Sequence, residues 1–338
     1  MSQMEFTWTS GLEGASVPVY FGPAYQGLLA DHDHAQAKVL VCSAKGQVTH
    51  LPLLVKNLGN GCKEAYSAYG YGGLLSGFSL SDNDIEKMCH FLSCESVMAL
   101  FIRHSPFLAN QQYWPQRLTE LNRHTYSVTL KASESFETYL TGIPPKLRWS
   151  VNYARRSGQQ VLFSDLSQCS TDRIRAFYRL YSGLMLEKKT SDYYLFSEDF
   201  FLQHAIALGE CCELAEIIDP MTNELVAAAF FLLDENGRAH YHLSAANQDA
   251  MKLRGIEHIL ASAIHRYGNL GYHSLHLGGG HRLDESDGLS LFKSKFSNER
   301  LDFRCTKLVC DQAGYQKERA RLPLKNPNLF LISDARKI

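Results

Sequence analysis

The chain has 338 residues, 34 Lys and Arg against 35 Asp and Glu, a formal charge of −1, and a hydrophobic fraction of 45%. That composition excludes a mainly disordered or collagen-like chain, and the length fits two domains. The near-neutral balance offers no global attraction to nucleic acid or anionic lipid, so any such contact has to be local. The nine cysteines (42, 62, 89, 94, 169, 211, 212, 305 and 310) form no C-x-x-C and no finger-type metal framework, the pattern of reduced thiols in a cytoplasmic protein. Met1–Gly14 carries Glu5 and Glu13 and no apolar h-region, so no signal peptide is expected. The longest apolar run, Leu225–Leu233, has nine residues, too few to span a bilayer.

In chain order, Lys38–Ser43 and Val48–Leu54 are apolar runs around the turn Ala44-Lys45-Gly46-Gln47 and predict a hairpin. The Tyr- and Gly-rich stretch Tyr66–Gly73 follows. Ser81 is placed to cap a helix running to about Phe91, and Val97–Arg103 reads as a strand. Thr125–Leu130 alternates as a strand. Helices are expected from Thr171 to about Glu187 and, capped by Ser197, from Glu198 to about Leu208. Glu213–Asp219, Leu225–Leu233 and Ala239–Ser244 read as strands, with turns at Pro220–Asn223 and Asp234–Gly237. Ile256, Ile259, Leu260, Ala263, Ile264 and Tyr267 make one helical stripe, followed by the strand Ser274–Leu277 and then Gly278-Gly279-Gly280. Both halves thus run antiparallel strands, helix, strand, which predicts two copies of one α+β unit. The expected domains are 1–123, 124–312 and a tail, 313–338, able to pack on the first.

Four segments carry candidate chemistry. Lys146–Arg156 holds four cations and no acid; on a helix Arg148, Asn152, Arg155 and Arg156 cluster on one side, an arrangement suited to an anion, though charge runs are more often a solvated face. Leu289–Phe296 sets Lys293 and Lys295 among Phe292 and Phe296 behind Asp284, Glu285 and Asp287. A partly desolvated ammonium there can meet a developing oxyanion or a phosphate; the plain alternative is an amphipathic turn with two core aromatics. Gly278-Gly279-Gly280 allows a ligand to approach the backbone but matches neither a dinucleotide fingerprint nor a P-loop. His276 and His281 beside it lack the further ligands of a metal site. The Tyr69–Gly73 stretch reads as a ligand cradle or as a loop with aromatic plugs. His32 and His34 lie in a polar segment, and His240 and His242 share one face of a predicted strand. No G-x-S-x-G elbow or papain-like cysteine context supports covalent hydrolysis.

Taken in order, Tyr69-Gly70-Tyr71-Gly72-Gly73, Leu147-Arg148-Trp149 through Ala154-Arg155-Arg156-Ser157-Gly158, Tyr241-His242-Leu243-Ser244, Leu277-Gly278-Gly279-Gly280 and Asp287-Gly288-Leu289 with Phe292-Lys293-Ser294-Lys295-Phe296 resemble the FemAB/FemX-type transferases and related acetyltransferase-like proteins of cell-envelope polysaccharide clusters. The resemblance spans roughly residues 65 to 300. It implies α+β tandem GNAT-like domains, each a mixed, mostly antiparallel sheet flanked by helices, with the active site in the second. It implies transfer of an acyl or aminoacyl group to an amine of a cell-envelope saccharide or peptidoglycan-type precursor. Lys293 is then placed near the reacting carbonyl or an acceptor phosphate, and Arg148, Arg155, Tyr69, Tyr71, Gly72, Tyr241 and Phe292 are placed on substrate.

The implied donors are acyl-CoA or aminoacyl-tRNA, with no tightly bound cofactor and no metal. The implied acceptor is a sugar nucleotide or lipid-linked saccharide; tRNA is a candidate partner and DNA is not, and room is left for peripheral membrane contact. Lys252-Leu253-Arg254-Gly255-Ile256-Glu257 stands where GNAT enzymes place the diphosphate of CoA. It keeps the glycine, but Glu257 would repel a diphosphate. Asp287 and His242 are the candidate bases. The competing reading is a non-catalytic GNAT-like module that binds a sugar nucleotide or a partner protein.

Overall fold

The computed structural model describes residues 4–12, 17–75, 77–190, 194–284, 286–321 and 323–336; Glu13 and Glu285, singled out above, lie outside them. In chain order the elements are β1 (Glu5–Thr9), α1 (Pro23–Asp33), β2 (Gln36–Ala44), β3 (Gln47–Gly59), β4 (Cys62–Tyr66), α2 (Asp82–Cys94), β5 (Val97–Arg103), β6 (Glu120–Thr129), α3 (Phe136–Gly142), α4 (Pro145–Arg156), β7 (Leu162–Asp165) and α5 (Thr171–Glu187). They continue with α6 (Glu198–Leu208), β8 (Cys212–Ile218), β9 (Leu225–Leu233), β10 (Arg238–Ala246), α7 (Gln248–Lys252), α8 (Gly255–Asn269), β11 (Ser274–Gly279), α9 (Gly288–Ser294), β12 (Glu299–Val309), α10 (Gln312–Arg321) and α11 (Ile332–Arg336).

The chain divides into two compact units, Met1–Arg123 with Asp302–Ile338, and His124–Leu301. In the first the strand order is β1-β2-β3-β4-β5-β12, antiparallel throughout except for the parallel pair β4/β5. In the second it is β7-β8-β9-β10-β11-β6, again antiparallel except for β10/β11. The two patterns match strand for strand, so the tandem α+β architecture is present.

One connection departs from a simple repeat. The strand after β5 in sequence, β6, pairs with β11, and the strand after β11, β12, pairs with β5. The expected boundary at 312 is therefore corrected: residues 302–312 fall in the first unit, where Leu308 enters the core with Leu100 and Ile102 of β5. Residues 313–338 fall there too. The Ile332 and Ser333 amides donate to the buried Glu64 carboxylate of β4 at 2.5 and 3.1 Å, so an acid answers the amide dipoles at the start of α11.

Local signals explain the elements. Ser81 caps α2 in a capping box with Asp84, and Ser170 and Ser197 cap α5 and α6. The second core gathers the inward faces of α4 (Leu147, Val151) and α8 (Ile259, Leu260, Ala263, Tyr267) on Ala215, Ile217, Phe231 and Leu275 of the sheet. On the other face Phe177 of α5 and Phe201 of α6 pack edge-on against each other and Phe177 against Phe230.

Candidate active site

β10 and β11 run parallel for three rungs, Arg238↔Ser274, Ala239↔Leu275 and His240↔His276. Beyond the last rung each keeps its antiparallel neighbour and loses the other: β10 follows β9 as far as Ala246↔Ala227, and β11 follows β6 as far as Gly279↔Thr125. A register shift sits at the parting point of each strand, between Tyr241 and Leu243 and between His276 and Gly278. Bulges bend the strand that carries them, so the two ends diverge and leave a wedge between 241–246 and 277–279.

The first bulge also changes the phase of the side chains. Tyr241 lies opposite Phe231, whereas Ser244, three residues on, lies opposite Ala229. In a regular strand Tyr241 and Ser244 would face opposite ways. Here the Tyr241 hydroxyl donates to Ser244 Oγ at 2.5 Å, with the ring packed on Phe231. Burial pushes the phenol up to about 12, the Ser244 bond pulling down and the Glu257 charge pushing up, so at neutral pH it is a donor and not a base.

Lys293 projects from α9 toward this wedge. It is 8% exposed, its Nζ donates to the Gly279 carbonyl at 2.8 Å, and it stands 5.9 Å from the centre of the Tyr241 ring. Asp287 fixes that position. Its Oδ2 accepts from the amides of His281 and Arg282 at 2.8 and 3.0 Å, and its Oδ1 from those of Leu289 and Ser290 at 2.9 Å each. One carboxylate thus caps α9 and ties down the loop leaving β11. Burial pushes Asp287 up, but its backbone donors outweigh that and hold it below the usual carboxylate range. A carboxylate so engaged is a clasp, and the expectation of Asp287 as a base is corrected accordingly. Gly280 makes the clasp fit, since a Cβ there would lie 2.1 Å from Ser290 Oγ and 2.7 Å from Asp287 Oδ1. Phe292, half-buried, packs on Phe296 and the second core and anchors α9.

His240, His242 and His276 are also close by. His240 Nε2 pairs with the buried Asp234 at 3.0 Å, and its ring centre is 5.9 Å from that of His276. Burial drives His242 and His276 well below their ordinary value, with neighbouring positive groups, Lys293 among them for His276, adding to it. Both rings are neutral at pH 7. His242 lies in the bulge, 5.6 Å from the buried His204 ring of α6, away from Tyr241.

Of the three arginines of α4, Arg148 and Arg155 differ in their partners. Arg155 is committed to Glu137 at 2.5 Å and lies over the Phe136 ring, so its charge is already answered. Among the described residues Arg148 reaches only the Thr141 carbonyl, at 3.4 Å. At the start of α8, Arg254 adopts φ +63° with no side-chain cap, and Glu257 pairs with it at 3.4 Å with only 14% of its side chain exposed.

Tyr69, Tyr71 and Gly72 belong to the first unit. Tyr71 is buried edge-on against Tyr20, Phe107 and Phe303. The Tyr69 carbonyl accepts from Tyr25. The Gly72 amide donates to the Arg103 carbonyl, and the Gly72 carbonyl accepts from Ser105 and Asn110. These groups face their own unit's packing, which is the aromatic-plug alternative and leaves neither the Tyr71 ring nor the Gly72 amide for a ligand. The structure brings Lys293, Tyr241 and Phe292 to one end of the second unit's sheet. Sequence reasoning placed Ser244 beside Tyr241 and Gly280 in a glycine run but assigned neither its role at the site; Asp287-Gly288 opening a helix is the legible trace of the clasp. Among the described residues no group of three metal-binding side chains is present, and no helix is long and apolar enough to cross a membrane.

Residues 145–285 match the protein family described as "Acetyltransferase (GNAT) domain". No curated protein matches the sequence. Among solved structures, FemX superposes with a TM-score of 0.62 at 13% identity, over 86% of this chain and 92% of that one. The C-terminal domain (DUF2156) of a putative lysylphosphatidylglycerol synthetase from Agrobacterium fabrum gives 0.55 at 15% identity, over 90% and 93%. A tandem GNAT protein from the clavulanic acid biosynthesis pathway gives 0.50 at 9% identity, over 90% and 98%. At these identities the likeness is one of fold: the chain has a FemX-like tandem GNAT fold.

Proposed function

We propose that this FemX-like, GNAT-fold chain is an acyltransferase that moves an acyl or aminoacyl group to an amine of a cell-envelope saccharide or peptidoglycan-type precursor, with the reaction at the β10/β11 wedge. The observation that carries the reading is Lys293, an ammonium held at the mouth of the wedge by the Gly279 carbonyl and the Asp287 clasp. A neutral acceptor amine attacks the donor carbonyl and forms the new C–N bond. The carbonyl electrons move onto oxygen, where the Lys293 ammonium, itself largely buried, meets the developing charge. Collapse of the intermediate breaks the bond to the thiol or ribose oxygen of the donor. The amine proton leaves through solvent to that leaving group. Neutral His242, protonated Tyr241 and the engaged Asp287 make the chemistry depend on positioning more than on a protein base. Arg148 is the candidate contact for an acceptor phosphate.

The surroundings of α8 bear on the donor. A diphosphate bound on the first turn of α8 would meet the carboxylate of Glu257, and this weighs against a CoA thioester and toward aminoacyl-tRNA. Calorimetric titration with acetyl-CoA and desulfo-CoA at low salt decides it: no heat supports aminoacyl-tRNA, and micromolar binding assigns CoA. For the catalytic reading, Lys293→Ala should lower kcat by about 10²–10³ without loss of fold. Full activity in that variant would overturn the mechanism, and a protein that binds the acceptor with no turnover under either donor would be a binding module.

A further inference from the structure

We propose that the outer face of α4 docks on an anionic lipid bilayer. The helix buries Leu147, Ser150, Val151 and Ala154. On the outer side Lys146, Trp149, Tyr153 and Arg156 follow one another at spacings of three, four and three, one line along the helix, and all four are exposed. Trp149 is 52% and Tyr153 36% exposed, large aromatic areas to leave in water, and the two rings stack at 5.3 Å and 10°. At the two ends of the line, neither Lys146 nor Arg156 has an ion-pair partner among the described residues. No acid occurs between Glu137 and Asp165, a stretch with four cations in a chain of net charge −1.

This arrangement fits a plane. Lys146 and Arg156 are ten residues apart, roughly 15 Å along the axis, with the ring pair between them, so all four side chains meet a flat surface at once. Single-stranded nucleic acid instead presents phosphates and bases on different sides of its chain, and Trp149 and Tyr153 already spend one ring face each on the other. Indole and phenol have apolar bodies and polar rims and settle at headgroup level, and lysine and arginine beside them meet lipid phosphate. Each such cation strengthens binding about fivefold at physiological salt.

The test is sedimentation of the purified chain with vesicles of phosphatidylcholine alone and of phosphatidylcholine with about a third phosphatidylglycerol, the second composition chosen to supply the surface charge that attracts basic segments. Binding to the anionic vesicles only, weakened by salt, is expected. Tryptophan emission should move to the blue on binding, a shift that Trp149→Phe removes, because Trp114 is buried and Trp8 lies under Lys38. Lys146→Glu with Arg156→Glu should weaken binding by about tenfold or more, as should Trp149→Ala with Tyr153→Ala, with unchanged melting temperatures. Equal binding to both vesicle types, no binding to either, or charge-reversed protein that binds like the original overturns the proposal. So does retention of a tRNA-sized RNA through these four residues in the absence of vesicle binding. Lys293→Ala should bind vesicles normally, which separates this surface from the catalytic reading.

Discussion

Each unit carries one parallel strand pair with a helical connection, β4/β5 through α2 in the first and β10/β11 through α7 and α8 in the second, and the two pairs end differently. In the first, pairing continues to Tyr66↔Phe101, the Ser67 amide adds a bond to the Phe101 carbonyl, and Gly72 bridges to His104. The Tyr–Gly stretch folds onto the end of that pair, and Tyr20, Tyr71, Phe107 and Phe303 fill what lies beyond. In the second unit two bulges stop the pairing at His240↔His276, and a lysine stands at the gap. The same supersecondary unit thus yields a packed end and an open one. Whether the strands stay in register past the last rung decides which end can host chemistry.

Beyond the loss expected at Lys293, the comparison can be tested on the glycines of each end. Gly280→Ala should break the Asp287 clasp, lowering kcat by about tenfold or more and the melting temperature by a few degrees. Kinetics and a thermal melt on the same sample read both; unchanged kcat would mean that the clasp does not position Lys293. Gly73→Ala, at φ +99° with a Cβ 2.5 Å from Asn110 Nδ2, should cost about 1–3 kcal/mol of stability and leave kcat per folded molecule unchanged. A kcat loss there would make the closed end part of the site. Ser244→Ala should cost the Tyr241 hydrogen bond, about 1 kcal/mol, and lower kcat about fivefold; transfer rates at saturating substrate measure it.

A pH-dependent effect is shared by the two ends. His104 of the first unit, bonded to Thr306, is held by burial at about 3 against an ordinary 6.5, and His276 of the second is also pushed down. Between those values the unfolded chain binds more protons than the folded one. Stability should therefore be full above pH 6.5 and fall as pH drops toward about 3, by up to about 1.4 kcal/mol per pH unit for each such histidine. Melts in a pH series check it, and His104→Gln should flatten the slope.

Much of this was legible in the sequence. α5, α6, β5 and β9 fall where their caps and runs predict, because a serine cap and an apolar stripe are local signals. β12 was missed although Leu301, Phe303 and Cys305 alternate with Asp302, Arg304 and Thr306; its partner β5 lies about 200 residues earlier. Lys293 stood out by its aromatic neighbours. Arg155 did not reveal its pairing, because Glu137 lies on another helix. Asp287 looked like a free acid, though its four donors come from backbone amides, which sequence does not distinguish.

What the sequence by itself determined is the repeated α+β order, the helices α2, α5, α6 and α8 and most of the strands, and a lysine set between phenylalanines behind Asp287-Gly288. These follow from periodicity and capping, which act within a few residues. Only the tertiary structure decided that β6 and β12 trade places, that a bulge turns Tyr241 and Ser244 to one side, and that one strand pair closes while the other parts. Each of these is a choice of partner between distant segments, where the free energy lies in contacts that no local window contains.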